Sequence, residues 1–308
     1  MDLSIIVPVK NEEENLETLH KELSQTLVRL GSYEIIFVND GSTDRSLDIL
    51  KKIQKKDSHV VVIQFRKNFG QTAAMDAGFK QAQGNVIIPM DADLQNDPKD
   101  IPKLLTKLKE GYDVVSGWRK NRQDSTGKSI SSRLAHFLRQ LLIKEEIHDS
   151  GCTLKAYKKE CFKDLNLYGE MHRYIPATLK LKGFKITEVI VNHRVRKFGQ
   201  TKYGTTRLVK GFFDLLFIKF WSDYSVRPIH FFGSLGLLQY VLAVVIFLEQ
   251  IWKAIYVMGK LDLGPLMVLS VLLIITGTLT IIFGFLAEIM IREYYKDRVP
   301  YSIETVYK

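Results

Sequence analysis

Two carboxylates and an amide stand at alternate positions directly after a short apolar run: Asp91, Asp93 and Gln95. In extended backbone, alternate side chains point to the same side, so these three oxygen-bearing groups are predicted to converge. Such oxygens suit a hard divalent cation, either Mg²⁺ or Mn²⁺. A cation there would neutralise a diphosphate while another group leaves it. An Asp-x-Asp pair alone is weak evidence for a metal site, because aspartate is also common in surface turns. Its value as evidence depends on where the pair lies in the fold.

That position follows from an alternation of short β-branched runs with polar helical stretches. Strands are predicted at Leu3–Val9, Glu34–Val38, Val60–Phe65, Val86–Met90 and Asp113–Gly117, with a last one near Lys185–Val191. Helices are predicted between the first five strands, at Glu12–Leu30, Thr43–Lys56, Gln71–Gln83 and Pro98–Lys109. This order predicts an α/β fold with a parallel sheet.

Ligands of parallel α/β sheets bind at the carboxyl ends of the strands. Polar clusters follow all five strands there: Lys10-Asn11-Glu12, Asn39-Asp40-Gly41-Ser42, Arg66-Lys67-Asn68, Asp91-Ala92-Asp93 and Trp118-Arg119. The dinucleotide motif G-x-G-x-x-G is absent after the first strand, and no Walker-type loop is present. Metal and side chains are therefore expected to hold the phosphates, which favours a sugar-nucleotide transferase.

The C-terminal part of the chain has a different composition. Two strongly apolar runs, Ile229–Leu248 and Pro265–Leu286, are each long enough to cross a bilayer core. The loop between them has no net charge, whereas Lys and Arg are frequent on both outer flanks, which predicts cytoplasmic flanks and an external loop. A buried helical hairpin in a soluble protein is the alternative. Thr205–Tyr224 is predicted to be a basic, aromatic-rich helix in the lipid interface, with a core helix of the soluble domain as the alternative.

The predicted domains are therefore a catalytic domain at 1–204, a juxtamembrane helix at 205–228, a two-span hairpin at 229–287 (spans about 229–250 and 265–287) and a tail at 288–308. The net charge of +10 fits nucleic acid, anionic lipid or phosphorylated small molecules. No strand carries the interleaved aromatic residues of a nucleic-acid-binding surface, so nucleic acid is not expected. The two cysteines, Cys152 and Cys161, suggest neither a metal cluster nor a disulfide framework.

Seven segments together resemble glycosyltransferase family 2, and within it the branch that acts on polyprenyl phosphates. The matching segments are Ile6–Asn15, Val38–Asp44, Arg66–Gly70, Met90–Gln95, Ser116–Arg119, Asp149–Cys152 and Thr201–Gly204. They run in order from residue 3 to about 210 at the usual spacing. Asn39 stands where members often have Asp, and Thr201 where Ser is usual. The resemblance implies a GT-A fold, which is the Rossmann-like nucleotide-sugar-binding fold.

The resemblance also assigns roles to residues. The residues expected to bind the nucleotide sugar are Pro8, Asn11, Glu12, Asp40, Asn68, Asp91 and Gln95. The catalytic residues are expected to be Asp93, Asp149 and Arg119, and the metal ligands Asp91, Asp93 and Gln95. For Asn11 and Asp40, helix capping and turn formation are the structural alternatives. The role of Asp149 stays open among general base, acceptor orienter and metal ligand.

An anionic acceptor must approach an anionic donor, and two unit charges about 4 Å apart repel by roughly 4 kcal/mol at an effective dielectric near 20. Cations predicted to offset this repulsion at the acceptor phosphate are Arg133, Arg194, Arg196 and Lys202.

The sequence thus predicts inverting transfer of a hexose from a nucleotide sugar to polyprenyl phosphate by an integral membrane protein with both termini in the cytoplasm. UDP-glucose is the first prediction for the donor, followed by GDP-mannose and UDP-N-acetylglucosamine. A processive polysaccharide synthase and a non-catalytic nucleotide-sugar-binding adaptor are the alternatives; the Gln-x-x-Arg-Trp motif of the former is absent around Trp221. A homo-oligomer is an option by analogy only.

Overall fold

The computed structural model describes residues 1–120, 147–195 except 164, 166, 168 and 170, 216–258 except 218, 221, 222, 225 and 226, and 264–294. The chain divides into two compact units, Met1–Leu216 and Phe217–Lys308. Arg133, Arg196 and Lys202 lie outside the described residues, as does most of the predicted juxtamembrane helix.

The first unit is built on a seven-stranded sheet, counted over its described residues, with the order β3-β2-β1-β4-β6-β5-β7. Its strands are β1 Leu3–Val9, β2 Tyr33–Asn39, β3 Val60–Gln64, β4 Val86–Pro89, β5 Val114–Trp118, β6 Lys155–Lys158 and β7 Ile186–Ile190. The α/β prediction is confirmed, but the prediction of a wholly parallel sheet is wrong. β6 pairs antiparallel with both β4 and β5. Only four residues long and with a lysine at each end, β6 carries too weak a pattern to be recognised in the sequence.

Helices cover both faces of the sheet. The α-helices of the first unit are α1 Leu16–Leu27, α2 Ser46–Lys56, α3 Gln71–Gln81, α4 Ile101–Lys109 and α5 Ile175–Leu181. Alternate residues of β1 and β2 enter different cores. Ile5 and Phe37 pack with the leucines of α1, whereas Ile6 and Ile36 join the core that includes Met75 and Phe79 of α3. Burial on both faces explains why these strands are almost continuously apolar.

The sheet order reverses between β1 and β4, and this opens a crevice at their carboxyl ends. β4 pairs with β1 only as far as Ile6↔Pro89. Pro8 lies beyond that pair, so its missing amide hydrogen costs no ladder bond to β4. The loops after β1, β2 and β4 therefore lie where a ligand would bind.

The second unit contains two long helices, α6 Pro228–Lys253, continued by a π-helical segment Ala254–Met258, and α7 Pro265–Tyr294. Both are long and apolar enough to cross a membrane, with mean hydropathies of 2.2 and 2.6, and only 11% of each apolar window is buried. They pack closely through glycine, because a Cβ added at Gly236 would lie 2.8 Å from the Gly277 carbonyl oxygen. Tyr240 and Thr278 share a 2.7 Å hydrogen bond across the pair. The predicted spans are thus two helices that extend a few residues further.

Candidate active site

The loops after β1, β2 and β3 are tied to one another by their own polar side chains. Asp40 is buried, and its two carboxylate oxygens accept hydrogen bonds from the backbone amides of Phe69 (2.7 Å) and Gly70 (3.0 Å). Asn11 has a positive φ of 53° and accepts from the backbone amide of Thr43 at 2.8 Å. Hydrogen bonds of this kind hold three separate strand ends in one fixed arrangement.

Glu12 and Asn68 also lie at these strand ends. The Glu12 carboxylate accepts from the Asn15 side chain at 2.7 Å, and its backbone amide donates to Ser46 at 2.9 Å. Asn68 is exposed in the loop after β3. The capping-box alternative for Asn11 is wrong, because α1 begins at Leu16 with Asn15 as its N-cap. A direct contact of Glu12, Asn11 or Asn68 with a nucleotide stays a prediction.

Gly41 allows the loop after β3 to lie against the loop after β2. Its φ is +61°, and an added Cβ would lie 2.5 Å from the Lys67 carbonyl carbon. Gly41→Ala is therefore expected to lower the free energy of unfolding by about 1–3 kcal/mol and to weaken nucleotide binding measured by calorimetry. Gly111→Ala is the control, since its φ is +99° but no atom lies within 4 Å of the added Cβ. Equal donor affinity in both variants would refute the role of Gly41.

Asp91, Asp93 and Gln95 do not lie in extended backbone. β4 ends at Pro89, and the chain then turns, with a positive φ of 63° at Leu94. Asp93 is buried, and its Oδ1 accepts from the Gln95 amide at 3.1 Å. The prediction that extended backbone makes these three side chains converge is therefore wrong. The turn nevertheless places all three residues at the end of β4. The side-chain role of Gln95 stays a prediction.

Asp91 is held on both oxygens. Its Oδ1 accepts from the Gln71 side chain at 3.0 Å, and its Oδ2 from the Thr153 hydroxyl at 2.6 Å. Burial raises the pKa of the Asp91 carboxyl above its usual value, and the negative charge of Asp93 raises it further. Two neighbouring carboxylates in a buried turn, whose negative charges repel each other, are the donor chemistry that a hard divalent cation fits. The residues present therefore fit a metal.

The described residues alone do not complete a coordination shell for a metal ion. Among the described residues, no group of three or more His, Cys, Asp or Glu side chains is arranged to hold a metal ion. Mg²⁺ or Mn²⁺ at Asp91 and Asp93 would need oxygens of a bound diphosphate and of water as further ligands. This is the usual way in which Mg²⁺ is held at nucleotide-binding sites.

Arg119, directly after β5, forms a buried ion pair with Asp149. Arg119 Nε donates to Asp149 Oδ2 at 2.6 Å and Nη2 to Oδ1 at 2.9 Å, with side-chain exposures of only 11% and 12%. Burial lowers the pKa of Arg119, but the hydrogen bonds and charge of Asp149 outweigh it, and the net shift is upward. This bidentate contact leaves Arg119 Nη1 without a hydrogen-bond partner among the described residues. Arg119 thus keeps a fixed, permanently charged group for another acceptor.

Arg194 is engaged elsewhere. Its Nη1 donates to Glu22 of α1 and its Nη2 to Asp97, both at 2.6 Å, and its backbone amide donates to the Gln95 carbonyl oxygen at 2.9 Å. Two carboxylates therefore neutralise the guanidinium predicted to bind the acceptor phosphate. This geometry favours a structural role for Arg194, which fixes the segment after β7 beside the turn at Asp93–Gln95.

Four residues at the site were missed by sequence reasoning: Gln71, Thr153, Lys155 and Glu188. Gln71 and Thr153 hold Asp91, whereas Lys155 and Glu188 contact the loop that carries Asp149. Lys155 and Glu188 are charged residues inside short strands, and this is the signal that could have identified them, because strands rarely bury unpaired charge.

Comparison with known proteins gives consistent results at three levels. The family model described as glycosyl transferase family 2 matches residues 4–165, more than half of the chain. The chain is 38% identical over 303 residues to a dodecaprenyl-phosphate galacturonate synthase of Rhizobium johnstonii, covering 96% of this chain and 90% of the relative. It is 34% identical to an undecaprenyl-phosphate 4-deoxy-4-formamido-L-arabinose transferase of Salmonella paratyphi B, covering 99% and 93%.

Solved structures agree on the fold. A glucosyl-3-phosphoglycerate synthase from Mycobacterium tuberculosis, crystallised with Mn²⁺, UDP-glucose and phosphoglyceric acid, superposes with a TM-score of 0.56 at 19% identity, covering 71% of this chain and 79% of that one. This likeness identifies the sheet and its helices as the GT-A fold. With the family match and the relatives, it shows that the chain belongs to glycosyltransferase family 2 and is a glycosyltransferase.

Proposed function

We propose that the protein transfers a sugar from a nucleotide-sugar donor to a polyprenyl phosphate at the cytoplasmic face of a membrane, with inversion at the anomeric carbon. The observation that carries this proposal is the 38% identity over 96% of the chain to a relative named as a dodecaprenyl-phosphate galacturonate synthase. That similarity extends through the two apolar helices, which would place the enzyme at the bilayer where such an acceptor resides.

Different described residues would bind the nucleotide-sugar donor and the acceptor phosphate. Asp91 and Asp93 would hold the divalent cation, which supplies positive charge to the leaving diphosphate. Asp40, Asn11 and Glu12 fix the loops that would enclose the nucleotide. Arg119 would offer its Nη1 to a phosphate oxygen, since its Nε and Nη2 atoms donate to Asp149.

Asp149 is proposed to orient Arg119 rather than to act as a general base. Both of its carboxylate oxygens already accept hydrogen bonds from the guanidinium. A polyprenyl phosphate is already an anion at neutral pH and needs alignment more than deprotonation. Arg133, Arg196 and Lys202 remain the proposed acceptor-phosphate cations, whereas Arg194 is withdrawn from that set because Glu22 and Asp97 hold it.

The donor sugar is the least constrained part of the proposal. UDP-glucose is the first prediction from the sequence, but the relatives are named for galacturonate and for 4-deoxy-4-formamido-L-arabinose. Purified enzyme should therefore be tested with undecaprenyl phosphate and a panel of nucleotide sugars that includes UDP-glucose, UDP-galacturonate, UDP-4-deoxy-4-formamido-L-arabinose and GDP-mannose. One donor is expected to exceed the others at least tenfold in kcat/KM. Transfer from none of them would count against the proposed reaction.

The membrane topology gives a separate prediction. The segment that joins the two apolar helices is expected to lie on the non-cytoplasmic side of the membrane, because basic residues are concentrated outside the helices rather than between them. In intact cells, a membrane-impermeant thiol reagent should label Lys253→Cys, at the end of α6 nearer that segment, but not Lys296→Cys. The native thiols should give little background, because Cys152 and Cys161 are buried. The reverse labelling pattern would refute the topology.

A further inference from the structure

Three neighbouring strands place a lysine, a serine and a glutamate in one row. Ser116 of β5 is in register with Lys155 of β6 on one side and with Glu188 of β7 on the other. Residues paired in register on adjacent strands present their side chains on the same face of the sheet. Lys155 is 4% exposed and the Glu188 side chain 14% exposed, so both charges lie largely out of water.

Glu188 binds the first part of the loop that carries Asp149. Its Oε1 accepts from the backbone amides of His148 at 2.8 Å and Asp149 at 3.3 Å. Its Oε2 lies 2.7 Å from His148 Nδ1, which donates to it. The His148 ring also stacks on Trp118 of β5, with ring centroids 4.4 Å apart and planes inclined by 15°.

Lys155 binds the second part of the same loop. Its Nζ donates to the carbonyl oxygens of Ser150, at 3.1 Å, and of Cys152. The Glu188 carboxylate thus accepts hydrogen bonds from the backbone amides of residues 148 and 149, and the Lys155 ammonium donates to the carbonyl oxygens of residues 150 and 152. Two opposite charges, one on each side of Ser116, therefore bind both the backbone N–H donors and the backbone carbonyl acceptors of one short turn.

The loop carries the carboxylate that orients Arg119. Glu188 contacts the backbone of Asp149, and the Asp149 side chain in turn makes the bidentate contact with Arg119. A displacement of about 1 Å at a reacting group is enough to cost roughly 100-fold in rate. We propose that Glu188 is a positioning residue for the transfer reaction: through His148 and Asp149 it presets the guanidinium of Arg119 toward a substrate phosphate.

This inference rests on the proposed sugar transfer, and its test separates the two. Glu188→Gln keeps the shape of the side chain but replaces one acceptor oxygen with an amide group. The number of correctly folded sites is first measured as the stoichiometry of nucleotide-sugar binding in calorimetry. We expect kcat per donor-binding site to fall roughly tenfold to 100-fold, with donor affinity changed less than about threefold.

A merely structural role predicts a different result. Glu188→Gln would then lower the number of donor-binding sites and the melting temperature, but each remaining site would turn over at the wild-type rate. That outcome would overturn the proposal. Glu160→Gln is the matched control, because the Glu160 side chain is 61% exposed and its one ion-pair contact among the described residues is to Lys158, at 3.9 Å. Its turnover is expected to be unchanged.

Chemical rescue provides a readout specific to orientation. In Arg119→Ala, added guanidinium should occupy the place opposite Asp149 and restore part of the lost turnover. In Arg119→Ala/Glu188→Gln, restoration should be at least about tenfold weaker, because Asp149 is no longer held in place. Equal restoration in both variants would contradict the positioning role. If the wild-type enzyme transfers no sugar to polyprenyl phosphate, the proposed function fails; if it does so and Glu188→Gln matches it per site, only the role of Glu188 fails.

Discussion

Asp93→Ala is expected to lower sugar transfer by roughly 100-fold or more. Asp93 is buried in the turn after β4, beside Asp91, and the pair is the donor set that fits a divalent cation. Loss of one carboxylate would remove the cation that stabilises charge developing on the leaving diphosphate. Steady-state turnover with saturating donor and acceptor measures the effect, and excess EDTA should reproduce it in the wild-type enzyme.

The matched control is Asp76→Asn on α3. Asp76 forms a 2.6 Å ion pair with Lys80, whose side chain is 68% exposed, and such a surface pair contributes little to stability. Asp76→Asn should therefore turn over normally and should still lose activity in EDTA. Wild-type activity that survives EDTA, together with normal turnover of Asp93→Ala, would refute the metal-binding role of the pair.

Asp149→Ala is expected to damage both stability and turnover. The replacement leaves the Arg119 guanidinium buried without its carboxylate, and breaking a buried ion pair in this way costs about 3–5 kcal/mol of unfolding free energy. The melting temperature of the detergent-solubilised chain should fall accordingly. Turnover should also fall, because the guanidinium loses its fixed orientation toward the substrate.

A double variant tests whether Asp149→Ala destabilises the protein by breaking the ion pair with Arg119 or by another effect. Arg119→Met/Asp149→Leu replaces both charges with apolar groups of similar volume, so it should regain much of the melting temperature lost in Asp149→Ala. Turnover should stay low in the double variant, because no guanidinium is present. A double variant as unstable as Asp149→Ala would mean that the two side chains do not act as a pair.

The local sequence pattern was sufficient to predict which site residues lie at the ends of strands. β1 was predicted with its observed bounds, and Asp40, Asp91 and Asp93 lie at strand ends because parallel strands bring their carboxyl ends to one edge. The detailed geometry after β4 could not be predicted in this way. A positive φ at Leu94 is set by local packing, and no periodicity in the sequence indicates it.

The second half of the site depends on contacts between distant parts of the chain. Asp149 pairs with Arg119 thirty residues earlier, and Glu188 contacts His148 forty residues earlier. The antiparallel β6 brings these groups together, and it was missed because a four-residue strand has almost no pattern. Arg194 shows a related limit: Glu22, one of its two partners, lies 172 residues away, so a charge that is paired in the fold looks available in the sequence.

The most direct test of the proposed reaction is to follow the labelled sugar. Purified enzyme in detergent should be incubated with a radiolabelled nucleotide sugar, Mn²⁺ and undecaprenyl phosphate, and the products partitioned between water and organic solvent. The account predicts that label enters the organic phase, that one sugar is added per lipid, and that mild acid releases it. Asp93→Ala should lower the rate of this labelling by roughly 100-fold or more. Label that accumulates as a water-soluble polymer, or a signal that does not depend on undecaprenyl phosphate, would contradict the proposed acceptor.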